Sequence, residues 1–350
     1  MKTQLSDFGS LGPAEDNLLD AVQRGVFAIV SNGVPDEPAP EVTIRASFIR
    51  YLALGGCDAC CPAAPGVRVW GAWIAGDGDP GWPTKGLYLD GADLCGDLFL
   101  VACNIPDAVF AYGTRAKTLG FDGSRLAAGL QADRLEATGG VFLRQAEITG
   151  VVRLAGARIG GSLECDGAKL RVEEGATALL ADRLQTTGGV FLRQVEITGA
   201  VRLLGASIGG DLVCEGAKLR VGSGGKALNA HSLRAEGVFF LRDGTVIYGA
   251  LDLTGARVGS INDDADCWPA PGNLLLDRLQ YVAITGGPVD AERRLKWLAL
   301  QDPSRFGQDF WPQPYEQLAK VLREMGHTDD ARRVLEEKER LLRADRRNRA

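Results

Sequence analysis

The chain repeats itself at a fixed period, and this restricts its fold more than any other feature. Residues 129–172 read GLQADRLEATGGVFLRQAEITGVVRLAGARIGGSLECDGAKLRV. Residues 178–221 read ALLADRLQTTGGVFLRQVEITGAVRLLGASIGGDLVCEGAKLRV, an offset of 49 with about three-quarters of positions identical. A more diverged third copy starts 49 residues later, at Ala227, with one extra residue near Gly244. Self-similarity of this kind belongs to stacked repeat architectures, in which each unit buries its apolar surface only against its neighbours.

A shorter period lies inside the long one. Val141/Leu143, Val152/Leu154 and Leu163/Cys165 recur every 11 residues, as do Ala146/Ile148, Ala157/Ile159 and Ala168/Leu170. Residues two apart point to the same side of an extended segment. The anchors Leu143, Ile148, Leu154, Ile159, Cys165 and Leu170 are spaced 5, 6, 5, 6, 5. A helix would place them three and four apart. The pattern predicts very short strands separated by corners, four strands to a coil of 22 residues. Two coils leave five residues of each 49 for loops such as Glu173–Thr177 and Gly222–Gly225. The glycine excess, 46 in 350 residues, falls largely at the corners (Gly150, Gly156, Gly160, Gly161, Gly167). Small inward residues alternate with Leu, Ile and Val, as a narrow four-sided shaft requires.

The runs GARIGGSLECDGAKL and GASIGGDLVCEGAKL resemble pentapeptide-repeat proteins, in the form of a divergent bacterial branch with Gly-Ala-x-Ile-Gly-Gly repeats. The resemblance implies a mainly β fold, a right-handed quadrilateral parallel β-helix. The 22-residue coil departs from the strict 20-residue coil of that family. The branch often carries the word oxidoreductase, which none of these residues supports. Some similar chains continue into membrane segments; this one stops at Ala350, so membrane attachment is not carried over.

Weaker coils extend the shaft over 67–285, about nine coils and a rod of about 45 Å. Residues 1–66 form an N-terminal helical cap region, with helices expected at Pro13–Ala28 and Val42–Leu54. Residues 286–350 form a C-terminal helical region. Ala291–Leu300 is one helix there, and Tyr315–Met325 with Thr328–Arg343 is an αα-hairpin turning at Gly326-His327. The hairpin resembles a single tetratricopeptide-type helix pair. It either caps the exposed strand edge of the rod, which needs covering, or docks one partner helix. An imperfect cap would allow an end-to-end homodimer.

Charge and composition exclude several functions. The net charge is −6, so the whole molecule has no basic footprint for nucleic acid. Residues 290–350 carry 14 Lys/Arg against 12 Asp/Glu, and the run Arg343–Arg349 offers a peripheral contact to phosphate or anionic lipid. Met1–Asp20 holds four acids and no apolar core, so no export signal is read and a reducing cytoplasm is expected for the eight cysteines. No run approaches the about 18 apolar residues of a membrane span.

Candidate chemistry is sparse. Cys57, Cys60 and Cys61 have the C-x-x-C spacing of a zinc or redox site, but no second pair or nearby His accompanies them and Pro62 follows. Cys165 and Cys214 occupy equivalent inward positions, and Cys95 and Cys103 are read as core as well. Gly76-x-Gly78-x-x-Gly81 matches a dinucleotide fingerprint literally. It lacks the strand-then-helix context, and Asp77 and Asp79 would repel phosphate. Asp263, Asp264 and Asp266 form an acidic loop short of a calcium site. The two histidines, His231 and His327, are expected at an outward position and in the hairpin turn. No cofactor and no catalytic residues are assigned.

The outward columns remain. Arg134/Arg183, Arg144/Arg193, Arg153/Arg202 and Lys169/Lys218 stand beside Glu147/Glu196 and Asp133/Asp182. The resemblance implies a DNA-mimicking, topoisomerase-binding alternative, which needs aligned carboxylates; a mixed ladder suits a protein partner better. The expected function is a non-enzymatic scaffold presenting a rigid repeat face and a helical hairpin. Its partner-binding candidates are Arg144, Arg193, Arg153, Arg202, Tyr315, Arg332 and Arg333. An enzyme with a site at the Cys57–Cys61 loop or on the β-helix flank is the other alternative.

Overall fold

A computed structural model describes residues 2–56, 66–76, 85–301 and 310–349. One turn shows how the sequence pattern becomes a shaft. Strands Leu119–Gly120, Arg125–Leu126, Leu130–Gln131 and Glu136–Ala137 lie on four successive faces, and Val141–Phe142 returns to the first. Each strand pairs in parallel with its counterpart one coil on: Leu119 with Val141, Arg125 with Glu147, Leu130 with Val152, Glu136 with Arg158. The protein is a parallel β-solenoid. Its second and third faces are nine-stranded sheets, while the first and fourth merge into one of 16 strands. They merge because Arg234–Leu241 and Arg257–Asp263 run unbroken through the corner between them.

Most coils repeat at 22 residues, and two repeat at 27 (separations seen in the Lys169–Glu147 and Arg193–Asp166 contacts). The five extra residues leave the shaft between the second and third faces. There the pairing slips at Thr177/Leu179 and again at Lys226/Leu228. Extra length is therefore bulged outward and the inward register is kept.

The core is one continuous column. Val141, Leu143, Ala146, Ile148, Val152, Leu154, Ala157, Ile159, Leu163, Cys165, Ala168 and Leu170 are all buried. Each fully buried Leu, Ile or Val contributes about 1.5–3 kcal/mol. Cys103, Cys165 and Cys214 lie in this column, and burial pushes the Cys103 and Cys214 thiols up to about 12. Cys95 corrects the sequence reading: it is exposed, on the outer side of an early coil where its backbone N–H bonds to Ala53.

Glycine explains only half of the corners. Between the third and fourth faces, Gly113, Gly156, Gly205 and Gly255 alternate with Arg134, Arg183, Ser232 and Arg278, all at positive φ. A side chain in this region costs about 1–2 kcal/mol. The backbone ladder holds it: Arg134 N–H donates to Ala155 O at 2.9 Å. At the next corner glycine is sterically required, since a Cβ on Gly160 would stand 2.2 Å from Thr138 O.

Helices seal both ends. Helix α1 (Pro13–Arg24) ends before the expected Ala28, because Ala28–Ile29 pairs with Val69 and Trp70 as the lowest strand of the first face. Likewise Thr43–Arg45 pairs with Trp73–Ala75, so α2 (Ala46–Ala53) starts later than expected. The strand stack thus begins inside the N-terminal cap. At the other end stand α3 (Ala291–Leu298), α4 (Gln313–Glu324) and α5 (Thr328–Arg349). Helix α4 lies on the last rung and supplies what a further coil would have supplied. Gln313 Oε1 accepts from Arg278 N–H at 2.8 Å, and Gln317 Nε2 donates to Tyr281 O at 2.7 Å. Among the described residues no helix is long and apolar enough to cross a membrane.

Candidate interaction surfaces

The coil register turns the sequence repeat into charge columns. Because 49 residues make two coils, a position in one coil and its neighbour above come from different halves of the repeat. Where one half carries an acid and the other a base, the column alternates in sign. At the corner between the first and second faces Arg144 reaches Asp122 at 2.5 Å and Glu164 at 3.4 Å. One repeat on, Arg193 reaches Asp166 at 3.1 Å and Glu215 at 3.3 Å. Asp122 and Asp166 also accept the backbone N–H of Arg144 and Arg193, which locks each acid into place. The guanidiniums lie over the Phe142 and Phe191 rings at 4.8 and 4.5 Å.

The other faces follow suit. On the second face Lys169 pairs with Glu147 at 3.0 Å and Lys218 with Glu196 at 2.8 Å. These hydrogen bonds hold both glutamates below the usual carboxylate range. On the third, Arg153 pairs with Asp133 at 2.6 Å and Arg202 with Asp182 at 2.5 Å. The four shaft arginines named from the sequence therefore sit in half-exposed ion pairs. Such pairs contribute about 0–1 kcal/mol each.

The hairpin candidates separate in the fold. Arg332 is exposed and paired with Asp329 at 3.3 Å and Glu336 at 3.5 Å, and Arg333 is exposed beside it. Tyr315 is buried, and burial pushes its hydroxyl up to about 12. It forms one wall of an apolar cleft of about 320 Å³ with Leu295, Leu298, Phe310 and Leu341.

Cys57, Cys60 and Cys61 lie outside the described residues, as do Asp77 to Gly81. Gly76 follows the strand Trp73–Ala75, and the next described element is the strand Leu87–Tyr88. The acidic loop is dispersed: Asp263 turns inward to Arg294, and Asp264 accepts the backbone N–H of Asp243 at 2.9 Å. Among the described residues no cluster of His, Cys, Asp or Glu could hold a metal ion. His231 is exposed, and His327 stands in the hairpin turn, its carbonyl accepting from Ala331 N–H.

One feature of the fourth face escaped the sequence reading. Arg115 pairs there with Asp93 at 2.8 Å and Glu136 at 3.2 Å, and Arg158 with Glu136 at 3.0 Å. Higher on the same face Arg234 and Arg257 are direct neighbours in the ladder. Neither guanidinium has an ion pair or hydrogen bond among the described residues. Superposing the third repeat on the first two, position by position, would have exposed this.

The protein is a helix-sealed parallel β-solenoid with columns of paired surface charge. No protein-family model, no curated protein and no solved structure matches it.

Proposed function

We propose that the protein is a non-enzymatic interaction scaffold, akin to the pentapeptide-repeat proteins its sequence resembles, that presents a rigid charged face and a helical hairpin to a protein partner. The observation that supports this reading is the sign-alternating ladder on the shaft. Arg144, Arg193, Arg153 and Arg202 are held at coil spacing by aspartates that are themselves fixed by backbone hydrogen bonds. Preorganised charges favour specific association because little side-chain freedom is lost on binding. Sign alternation argues against the DNA-mimic alternative, since duplex DNA presents one negative charge about every 1.7 Å without interruption. The buried, strongly protonated thiols of the core suit a reducing cytoplasm.

The test uses the full chain, because α4 completes the last rung and its deletion would unseal the shaft. Intact protein is used to capture partners from an extract of the native host. It is compared with a variant carrying Arg144→Gln, Arg193→Gln, Arg153→Gln and Arg202→Gln, and with an Arg332→Gln/Arg333→Gln variant. A partner lost from at least one variant, with β-rich circular dichroism unchanged, is the expected result. Retention of every captured protein by both variants would overturn the assignment of these surfaces.

A further inference from the structure

The three copies of the 49-residue repeat place different pairs at one rung of the fourth face. The first copy stacks Glu136 on Arg158, the second Gln185 on Ser207, and the third Arg234 on Arg257. An attractive pair becomes a neutral one and then a repulsive one along the same column. Adjacent strands are about 4.8 Å apart, and like charges directly opposite each other destabilise a sheet. Every other neighbour in the upper column is a neutral hydrogen-bonding residue. Ser207 lies below Arg234, and Gln280 lies above Arg257. Both arginines and both neutral neighbours are exposed.

The surroundings leave room for a ligand. Next to this column runs a second row, two residues on along each rung, in which Gly160, Gly209 and Gly259 alternate with Thr138, Thr187 and Glu236. Lower down, the ion-paired Glu136 and Arg158 with Thr138, Thr187, Gln185 and Ser207 line a shallow open trough, and Ser207 lies directly below Arg234. Arg257 has Gly255 and Gly259 on either side along its own rung. The nearest acid on the rung of Arg234 is Glu236, two residues on, and it forms no ion pair with either arginine. Two guanidinium forks stacked at coil spacing, rimmed by hydroxyl and amide groups, match the geometry of carboxylate oxygens.

We propose that this strip is a docking site for an extended acidic protein segment, whose carboxylates sit between Arg234 and Arg257 while its chain runs along the column from Ser207 to Gln280. The proposal rests on the interaction-scaffold reading and names the partner's chemistry. Charge complementarity selects the occupant. Among the described ladders only here do two cations stand directly opposite each other, and neither is paired with an acid.

The probe is a fluorescein-labelled hexaglutamate peptide, titrated with the full chain and followed by fluorescence anisotropy. Wild type binds it, and binding weakens as NaCl rises from about 50 to about 300 mM. Arg234→Gln/Arg257→Gln weakens it about tenfold or more, while Arg115→Gln, lower on the same face, leaves it unchanged. The double variant keeps or raises the wild-type Tm, because removing stacked like charges relieves repulsion. Hexaglutamate also raises the Tm of wild type and not that of the double variant. Equal binding by the double variant, or none by wild type, overturns the proposal. So does tighter binding of a polyuridine strand than of hexaglutamate, which would assign the strip to nucleic acid. Each of these failures leaves the scaffold reading standing, since partner capture through the ladder and hairpin arginines is measured separately.

Discussion

The two ends of the solenoid are closed by the same two chemical groups at different depths. At the N-terminal end Glu15 of α1 takes three hydrogen bonds from Arg45: from its backbone N–H, from Nε at 2.7 Å and from Nη2 at 2.6 Å. The glutamate side chain is buried, but the arginine remains 29% exposed. At the C-terminal end Arg294 of α3 grips Asp263 with two parallel bonds of 2.6 and 2.8 Å, and both side chains are out of contact with water. Trp268 Nε1 donates to the same carboxylate, Pro288 O accepts from Arg294 Nε, and the guanidinium lies against Trp268 and Trp297. The difference follows from how each end closes. The N-terminal cap inserts its own strands, Ala28–Ile29 and Thr43–Arg45, into the stack, so the pair only fastens a helix to an edge already made. Beyond Ala283–Gly286 the C-terminal cap adds to the stack only the single bridge of Gln301 to Leu274. It holds α3 against Asp263, at the end of the first-face strand, chiefly through side chains, with a pair in the dry interior.

Breaking the deeper pair has the largest expected effect. Asp263→Ala leaves a guanidinium buried without its counter-ion and should cost about 3–5 kcal/mol in urea unfolding. The joint replacement Asp263→Leu/Arg294→Met should recover most of that loss. A loss under about 1 kcal/mol for Asp263→Ala would show that the C-terminal layer is not held by this pair.

Glu15→Gln should cost less, about 1.5–3 kcal/mol, because Arg45 keeps access to water. This effect depends on pH. Burial alone would raise the Glu15 carboxyl, but the hydrogen bonds from Arg45 and Gly12 outweigh it and hold the group below the usual glutamate range. A depressed folded value contributes stability that is complete above the unfolded value of about 4.3 and is lost as pH falls through the folded one. The stability gap between wild type and Glu15→Gln should stay constant near neutral pH and close below about pH 4. A gap that widened on acidification would invert the assignment.

The smallest effect sharpens the contrast between the ends. Gln317→Ala should remove about 1 kcal/mol and uncover the Tyr281 carbonyl on the last rung. Combined with Gln313→Ala it should produce concentration-dependent self-association in sedimentation, because an uncovered strand edge recruits another. A strictly monomeric double variant would mean that α4 shields the edge by bulk and not by its glutamines.

The legible and illegible parts of this molecule divide along the same line as its ends and its shaft. The coil period could be read directly, since Leu143, Ile148, Leu154 and Ile159 all face one narrow core and tolerate no other spacing. The inward cysteines Cys165 and Cys214 followed from that register. Ala28–Ile29 could not be read as a strand, because two residues after a helix carry no periodicity of their own. Asp263 looked like part of a surface acidic loop, since nothing local marks Arg294, 31 residues on, as its partner. Cys95 was misread because the coil pattern weakens near residue 95 and no longer reports which side faces inward.

The candidate surfaces were half legible. The outward arginines and acids were visible as columns, but their pairing depends on which coil stands above which. The slips at Thr177 and Lys226 decide that. The stacked Arg234 and Arg257 were hidden by the divergence of the third repeat.

By itself the sequence determined the repeating unit, the four-sided coil and the identity of the core, because each is enforced locally by alternation within a few residues. The tertiary structure decided how the rod ends, which charges cancel and where two cations stack. Those outcomes depend on contacts between residues 20 or more apart, whose energies are set by burial and by the coil overhead.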